Sequence, residues 1–280
     1  MESQRIEPKA GLYQLVCAVL MAFACTPAFA QLAERIFVDG FENGLFENGL
    51  NDTGQDWCAN ATTGNLTCPQ SGLPRQDGEF GRDALARAGV LTKIGGGEAG
   101  FDFTKISNSG QVLPAAAALG AGANDWACTR DNVTGLLWEV KLNNAASLRH
   151  QTHGYTWYST DSSINGGNPG SVGTASSCSS TLSQCNTQAF VAAVNAQGLC
   201  GFNDWRMPDQ GQLLGIVSHK RINPAIDPTY FQNTPNSVYW TGRNVAGGAS
   251  NAWVVSFFGG NLNVTTKTDT GRVRLVRGGQ

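Results

Sequence analysis

Apolar and polar residues alternate in short runs along most of this chain, and only two stretches repeat at a helical spacing. Phe101-Asp102-Phe103-Thr104-Lys105-Ile106 sets apolar against polar positions, which predicts a strand with Phe101, Phe103 and Ile106 supplying its buried side. Leu136 to Val140 reads as a second strand, entered through the turn chemistry of Asp131 to Gly135. The first helical pattern is Gln188–Ala196, capped by Asn186 or Thr187, with Phe190, Val191 and Val194 on one face and Gly198 as its stop. Asp209 and Gln212 form a capping-box pattern that opens a second helix to about Ser218, with Leu213, Leu214 and Val217 as its stripe. Gly211 weakens that helix by about 1 kcal/mol relative to alanine. The tail returns to alternation. Val238-Tyr239-Trp240 opens one strand, Trp253–Phe258 forms the next, and Gly259-Gly260 is a two-residue hairpin turn. Leu262, Val264 and Thr266 then alternate with Asn261, Asn263, Thr265 and Lys267, and Val273 and Leu275 with Arg272 and Arg274. Strand, two helices and an antiparallel meander make an α+β fold.

The start of the chain follows a different pattern. Arg5 and Lys9 precede an apolar run from Leu12 to Cys25, and Ala28-Phe29-Ala30 follows it with small residues at both cleavage-determining positions. This is the pattern of a secretory signal over residues 1–30, with Gln31 as the first mature residue. The run falls short of the roughly 20 apolar residues a membrane span requires, and no later run is apolar enough to span. Residues 31–95 read as an N-terminal arm, with the duplication GFENGLFENGL, followed by a turn-rich leader. Residues 96–280 carry the periodic elements. Asp39, Glu42 and Glu47 do not fit the spacing of an EF-hand loop.

Cysteine usage agrees with export. Cys17 and Cys25 leave with the signal, and an even set remains: Cys58, Cys68, Cys128, Cys178, Cys185 and Cys200. In an exported chain this reads as three disulfides. Sequence proximity favours Cys58–Cys68 and Cys178–Cys185, which leaves Cys128–Cys200 as the long bridge. A zinc site is not expected, because there is no CxxC pair and there are only 3 histidines. With 35 glycines and 14% charged residues the chain is loop-rich, yet 7 tryptophans and 13 phenylalanines can fill a core. Charge is uneven: residues 31–100 carry more acidic than basic residues, and residues 201–280 the reverse. The closing third therefore offers a basic set for an acidic polymer: Lys220, Arg221, Arg243, Lys267, Arg272, Arg274 and Arg277. Arg272 and Arg274 should share a strand face, and arginine can grip a sulfate or carboxylate with two donors. No feature points to nucleic acid. The long polar connection 143–186, with its aromatic island Tyr155-Thr156-Trp157-Tyr158, is of the kind that is often functional.

Several separated stretches, in this order, resemble the Lcl C-terminal domain family: ACTRDNVTGLLWEVK, FVAAVNAQGLCGFNDWRMPDQGQLLGIV, NPAIDPTYFQNTP, VYWTG and GRVRLVRGG. The likeness covers roughly residues 100–280, and Cys58, Cys68-Pro69 and RQDGEFGRDA upstream look like the leader of many members. The resemblance implies a C-type-lectin-like fold, closed by a disulfide between the first strand region and the end of the first helix, a role that Cys128 and Cys200 match. It also implies adhesion. The name-giving member is a collagen-like adhesin whose C-terminal domain binds sulfated glycosaminoglycans. This chain has no Gly-X-Y repeat, so that trimerising stalk is absent.

Within LCGFNDWRMPD, residues 199–209, a lectin would use Trp205 as a platform for a sugar face and Asn203, Asp204 and Arg206 for hydroxyl and acidic groups. The alternative is framework: Trp205 buried, Asp204 paired, Asp209 a helix cap. C-type lectins commonly hold calcium through Glu-Pro-Asn or Gln-Pro-Asp and a Trp-Asn-Asp strand. Here Asn203-Asp204-Trp205 has those residue types in another order and neither proline motif occurs. No cofactor is expected, with calcium as the alternative. The fold class also includes formylglycine-generating enzymes, whose chemistry needs reactive cysteines; with six cysteines read as structural, and neither GxSxG nor HExxH present, an enzyme is not expected. His150 and His153 fall in a polar, glycine-rich loop. The expected function is a secreted bacterial ligand-binding or adhesion protein for a glycan, with a structural or protein-interaction role as the alternative.

Overall fold

The computed structural model describes residues 49–278, so the apolar run, the Ala28-Phe29-Ala30 pattern and most of the duplicated arm lie outside the described residues. In chain order these residues form helix α1 (Gly81–Arg87), strands β1 (Phe103–Ser107), β2 (Trp126–Asp131) and β3 (Leu137–Glu139), helices α2 (Thr187–Gln197) and α3 (Gln210–Leu214), and strands β4 (Val238–Val245), β5 (Gly248–Ser256), β6 (Asn261–Thr266) and β7 (Val276–Arg277).

Both helices expected from the sequence form where their caps place them. The Asn186 side chain accepts the Ala189 N–H at 2.8 Å to open α2, and Gly198 ends it at φ 64° in the left-handed region. Both bonds of the Asp209–Gln212 capping box are made at α3. That helix is shorter than expected and stops at Leu214 rather than Ser218. Beyond it the Ser218 N–H pairs with the Ala225 carbonyl at 3.1 Å, where a continued helix would turn it to Leu214, while Ile216 and Val217 join Leu213 in one core.

The strands form two antiparallel sheets, ordered β1-β2-β3-β7 and β4-β5-β6. The closing segment joins them: Arg272 pairs alongside Tyr239 of β4, and a few residues later Val276 lies in β7. The sheets divide two apolar cores. Trp240, Val254, Leu137 and Leu275 face one, with Phe190 and Val194 of α2; Tyr239, Val255, Trp138 and Val276 face the other, with Leu213 and Ile216. Side chains alternate across a strand, so a strand between two cores is buried on both sides. This corrects the reading of Arg272 to Leu275 as apolar-in, polar-out: Val273, Arg274 and Leu275 are all 0% exposed. The hairpin after β5 is likewise a four-residue turn, Phe257 to Gly260, because Phe257 leaves the strand to bury in the second core, where its N–H meets the Ser237 carbonyl.

Disulfides join Cys58 to Cys68, Cys128 to Cys200 and Cys178 to Cys185, the pairing that proximity favours. Cys128–Cys200 ties β2 to the turn after α2. Residues 49–100 contribute no strand to either sheet and are held on by polar contacts. The Asn51 amide donates to Asp131 and to the Gly215 carbonyl, and Asp83 accepts the Gly100 N–H at 2.6 Å. Burial, with the charge of Asp52 adding to it, pushes the Asp83 carboxyl up to about 6.

Candidate functional site

The loop after α2 is framework at its centre and polar at its rim. Trp205 is 2% exposed; its ring N–H donates to the Leu199 carbonyl at 3.0 Å, and its backbone exchanges two bonds with the Asn195 amide. A ring held in this way offers no face to a sugar, so the platform reading of Trp205 is corrected to core packing. Asn203 and Asp204 are exposed. Asp204 is gripped by Arg277 through two bonds of 2.7 and 3.1 Å, which holds its carboxyl below the usual range, while Arg277 stacks 3.6 Å from the Phe202 ring. Among the described residues no three His, Cys, Asp or Glu side chains are grouped to hold a metal ion.

The basic set is not a surface stripe. Arg274 is 0% exposed, between the Phe231 and Tyr239 rings, and donates to the Glu139 carbonyl and to the Thr234 hydroxyl at 2.8 and 2.6 Å. Lys267 is 1% exposed over the Trp157 ring and donates to the Asn165 and Asn168 carbonyls, each at 2.7 Å. Both were expected at the surface; both are internal, because each satisfies carbonyls that no regular ladder reaches. Arg272 is half-buried and donates to the Thr152 carbonyl, so it shares no open face with Arg274. Lys220, Arg221 and Arg277 are paired with Asp56, Glu98 and Asp204. Arg243 on β4 is exposed, with no ion pair or side-chain hydrogen bond from its guanidinium among the described residues.

Arg243 stands at one wall of a cleft of about 540 Å³ between the 158–164 loop, the start of α2, the 206–209 loop and β4. Arg206 lines the cleft with it. Half-buried, Arg206 donates to the Gln212 amide oxygen at 2.8 Å and to the Gly278 carbonyl at 3.0 Å. Gln212 also accepts the Asp209 N–H, so the capping box of α3 fixes the guanidinium in place. Burial lowers the Arg206 pKa; Asp209 works against this, and the like charge of Arg243 adds to it. The other walls carry Tyr158, Asp161 and Gln188, with Val191 and Met207 as apolar surface. Asp161 accepts the Ser163 hydroxyl and N–H, which hold its carboxyl below the usual range. The arrangement can take up a molecule with an anionic group between two guanidiniums, hydroxyls toward Asp161 and Gln188, and an apolar face along Tyr158 and Met207.

Of the ligand-binding candidates named in the sequence, the cleft brings together Arg206 and Arg243, with the helix-capping pair Asp209 and Gln212 beside them. Asn203, Asp204, Arg272, Lys267 and Arg274 are not among its lining residues. Sequence reasoning missed Asp161 and Gln188 and noted Tyr158 only within an aromatic island. The one signal was the length of the 143–186 connection. Its 158 end is fixed beside α2 by reciprocal bonds between Tyr158 and Thr187, each of 2.9 Å.

No helix among the described residues is long and apolar enough to cross a membrane. No curated protein and no solved structure matches the chain. The sequence model of the Lcl C-terminal domain matches residues 127–277, from within β2 to the end of β7, taking in both expected helices, the Cys128–Cys200 bridge and both sheets but for β1. With more than half of the 280 residues matched, the chain belongs to the Lcl C-terminal domain family.

Proposed function

We propose that this protein is an exported, C-type-lectin-like binding module for an acidic glycan, held in the cleft between Arg206 and Arg243, and that it is not an enzyme. The lectin-like reading is supported by two helices set between antiparallel strands and by the Cys128–Cys200 closure. Three disulfides favour an oxidising compartment. The observation that carries the ligand class is the convergence of two guanidiniums, neither within ion-pair distance of a carboxylate, on an open cleft that also presents a tyrosine, an amide and a carboxylate. Arginine grips carboxylate or sulfate with paired donors, and sugar faces lie against aromatic and apolar surface while hydroxyls bond to amides and carboxylates.

Binding of the oxidised protein to a panel of neutral, uronic and sulfated glycans tests this, at low and high salt and with or without calcium. Acidic members should bind, more weakly at high salt, and Arg243→Ala should weaken binding about tenfold, a loss of about 1.4 kcal/mol. Because the Arg243 guanidinium makes no internal bond among the described residues, that variant should keep its fold. Binding that is lost only with chelator would move the site to the Asn203–Asp209 loop. No binding to any member would leave a structural or protein-interaction role.

A further inference from the structure

The two sheets have four edges, and three are covered. The outer side of β1 is bridged by Gly96 and Val112, β7 is bridged by Arg206, and β4 by Arg272. The order β4-β5-β6 leaves the outer side of β6 without a strand or bridge among the described residues. An open edge presents unpaired N–H and C=O groups, and proteins usually blunt it with charge, proline or a bulge. β6 has none of these. Its sequence, NLNVTT, is uncharged, and its register with β5 runs from Asn251–Thr266 to Ser256–Asn261 without a shift. Five of its six residues are exposed. At the far end the Asp269 carboxylate accepts the Thr265 hydroxyl and the Asp269 N–H meets the Thr266 carbonyl at 3.0 Å, so the open edge is the stretch Asn261 to Val264. Leu262 and Val264 are 38% and 43% exposed and lie on one face with Trp253, which pairs with Val264; Asn261, Asn263 and Thr265 lie on the other.

We propose that β6 is a self-association edge, on which two copies of this chain pair β6 to β6, antiparallel about a two-fold axis, to make a six-stranded sheet. The occupant follows from the strand itself. With the axis at Asn263, each Leu262 stands opposite Val264 of the second copy, each Asn261 opposite its Thr265, and Asn263 opposite its own copy. Apolar side chains then meet on one face and amides and hydroxyls on the other, with no like charges opposed. Slipping by one residue sets Leu262 against Asn263 and mixes the faces. Slipping by two sets Leu262 against Thr266 in one direction, and Val264 against Gly260 of the turn in the other. Only the register centred on Asn263 sets both Leu262 and Val264 against apolar residues, and the strand is also neutral, so it needs no partner of opposite charge. A pair of strands about 20 Å long is small beside the roughly 1,000 Å² of a stable interface. The dimer is therefore weak in solution and strengthened when both copies engage one surface.

The six cysteines from residue 31 onward are all disulfide-bonded, so a cysteine introduced on β6 is the only thiol there. Oxidised Asn263→Cys and Leu262→Cys proteins are compared for interchain cross-linking by non-reducing electrophoresis, and the unmodified protein and Val264→Lys by sedimentation up to about 1 mM. Asn263→Cys should cross-link at least about tenfold faster than Leu262→Cys, because only position 263 meets itself. The unmodified protein should self-associate with concentration and Val264→Lys should not. Equal cross-linking at both positions, a monomer across the whole range, or association unchanged by Val264→Lys would each overturn the proposal. Val264 is exposed, so loss of association in a variant with its disulfides and thermal transition intact is not a failure to fold.

Discussion

Replacing Lys267 with methionine separates a cation that faces a ligand from one that holds a loop. The ammonium donates to the Asn165 and Asn168 carbonyls at 2.7 Å each and sits 4.2 Å from the centre of the Trp157 ring. Methionine keeps the length of the side chain and removes both bonds. Hydrogen bonds from a charged donor are worth roughly 1.5–3 kcal/mol each, so the gross loss is about 3–6 kcal/mol. Against this stands the cost of burying an ammonium with no carboxylate in ion-pair reach, which the variant recovers; the same cost lowers the Lys267 pKa. Allowing about 1–3 kcal/mol for that relief centres the net destabilisation on about 2–3 kcal/mol. In a domain of this size each kcal/mol moves Tm by about 2–4 °C, so Lys267→Met should melt roughly 5–10 °C lower. Hydrogen exchange should rise first in residues 158–170, whose first half lines the cleft. Near-UV circular dichroism through the melt, and amide exchange read by mass spectrometry, measure the two effects. A Tm within about 1 °C of the unmodified protein, with exchange in 158–170 unchanged, would refute the view that this lysine organises the loop.

Two further tests address stability. Asp83 has its carboxyl raised from 3.8 to about 6, so the folded chain binds that proton more tightly than the unfolded one. Its contribution to stability is full below about pH 4 and is lost as pH rises through about 6, a fall of about 1–3 kcal/mol. Burial pushes the His153 ring down and acts in the opposite direction, so the measurement is the difference in Tm between Asp83→Asn and the unmodified protein, which should shift in favour of the variant from pH 4.5 to 7.5; a pH-independent difference would sink the assignment. Cys128→Ala with Cys200→Ala opens a bridge between residues separated by 72 positions. The chain-entropy model gives about 4 kcal/mol for such a loop, so urea unfolding should show a midpoint lowered accordingly, and an unchanged midpoint would refute the reasoning.

What was legible in the sequence was local. The Asp209–Gln212 box, the Asn186 cap and the Gly198 stop use contacts within a few residues, and each forms as read. The disulfide pairing follows from proximity in sequence for two bridges and from what remains for the third. Periodicity also found the strands Phe103–Ser107 and Leu137–Glu139. It could not say that the closing segment runs between two cores, and so it placed Arg274 on a surface. Alternation says that neighbours face opposite ways; it does not say whether either way is water. The cleft was illegible for a related reason. Tyr158 and Asp161 meet Gln188 across an irregular connection whose course is set by side-chain bonds, among them those of Gln188 itself to Thr160 at 2.8 and 3.1 Å.

The same limit explains why net charge misleads in this chain. A protein with 35 glycines spends much of its backbone outside helices and sheets, and every carbonyl there still needs a donor when buried. Lysine supplies it. Lys93 donates to the carbonyls of Gly97 and Ala99, Lys105 to that of Ala117 while lying over the Trp126 ring, and Lys267 to those of Asn165 and Asn168. Arg149 and Arg274 do the same from deeper positions, at Val140 and Glu139. Much of the positive charge in residues 201–280 is therefore internal or paired, and the cations that converge on open space are two guanidiniums on one cleft. A ligand gripped there is held at a point rather than along a stripe, so its affinity depends on the shape of the cleft as much as on charge. That shape is set by the 158–170 loop, and through it by the buried lysine that a count of charges would have assigned to the surface.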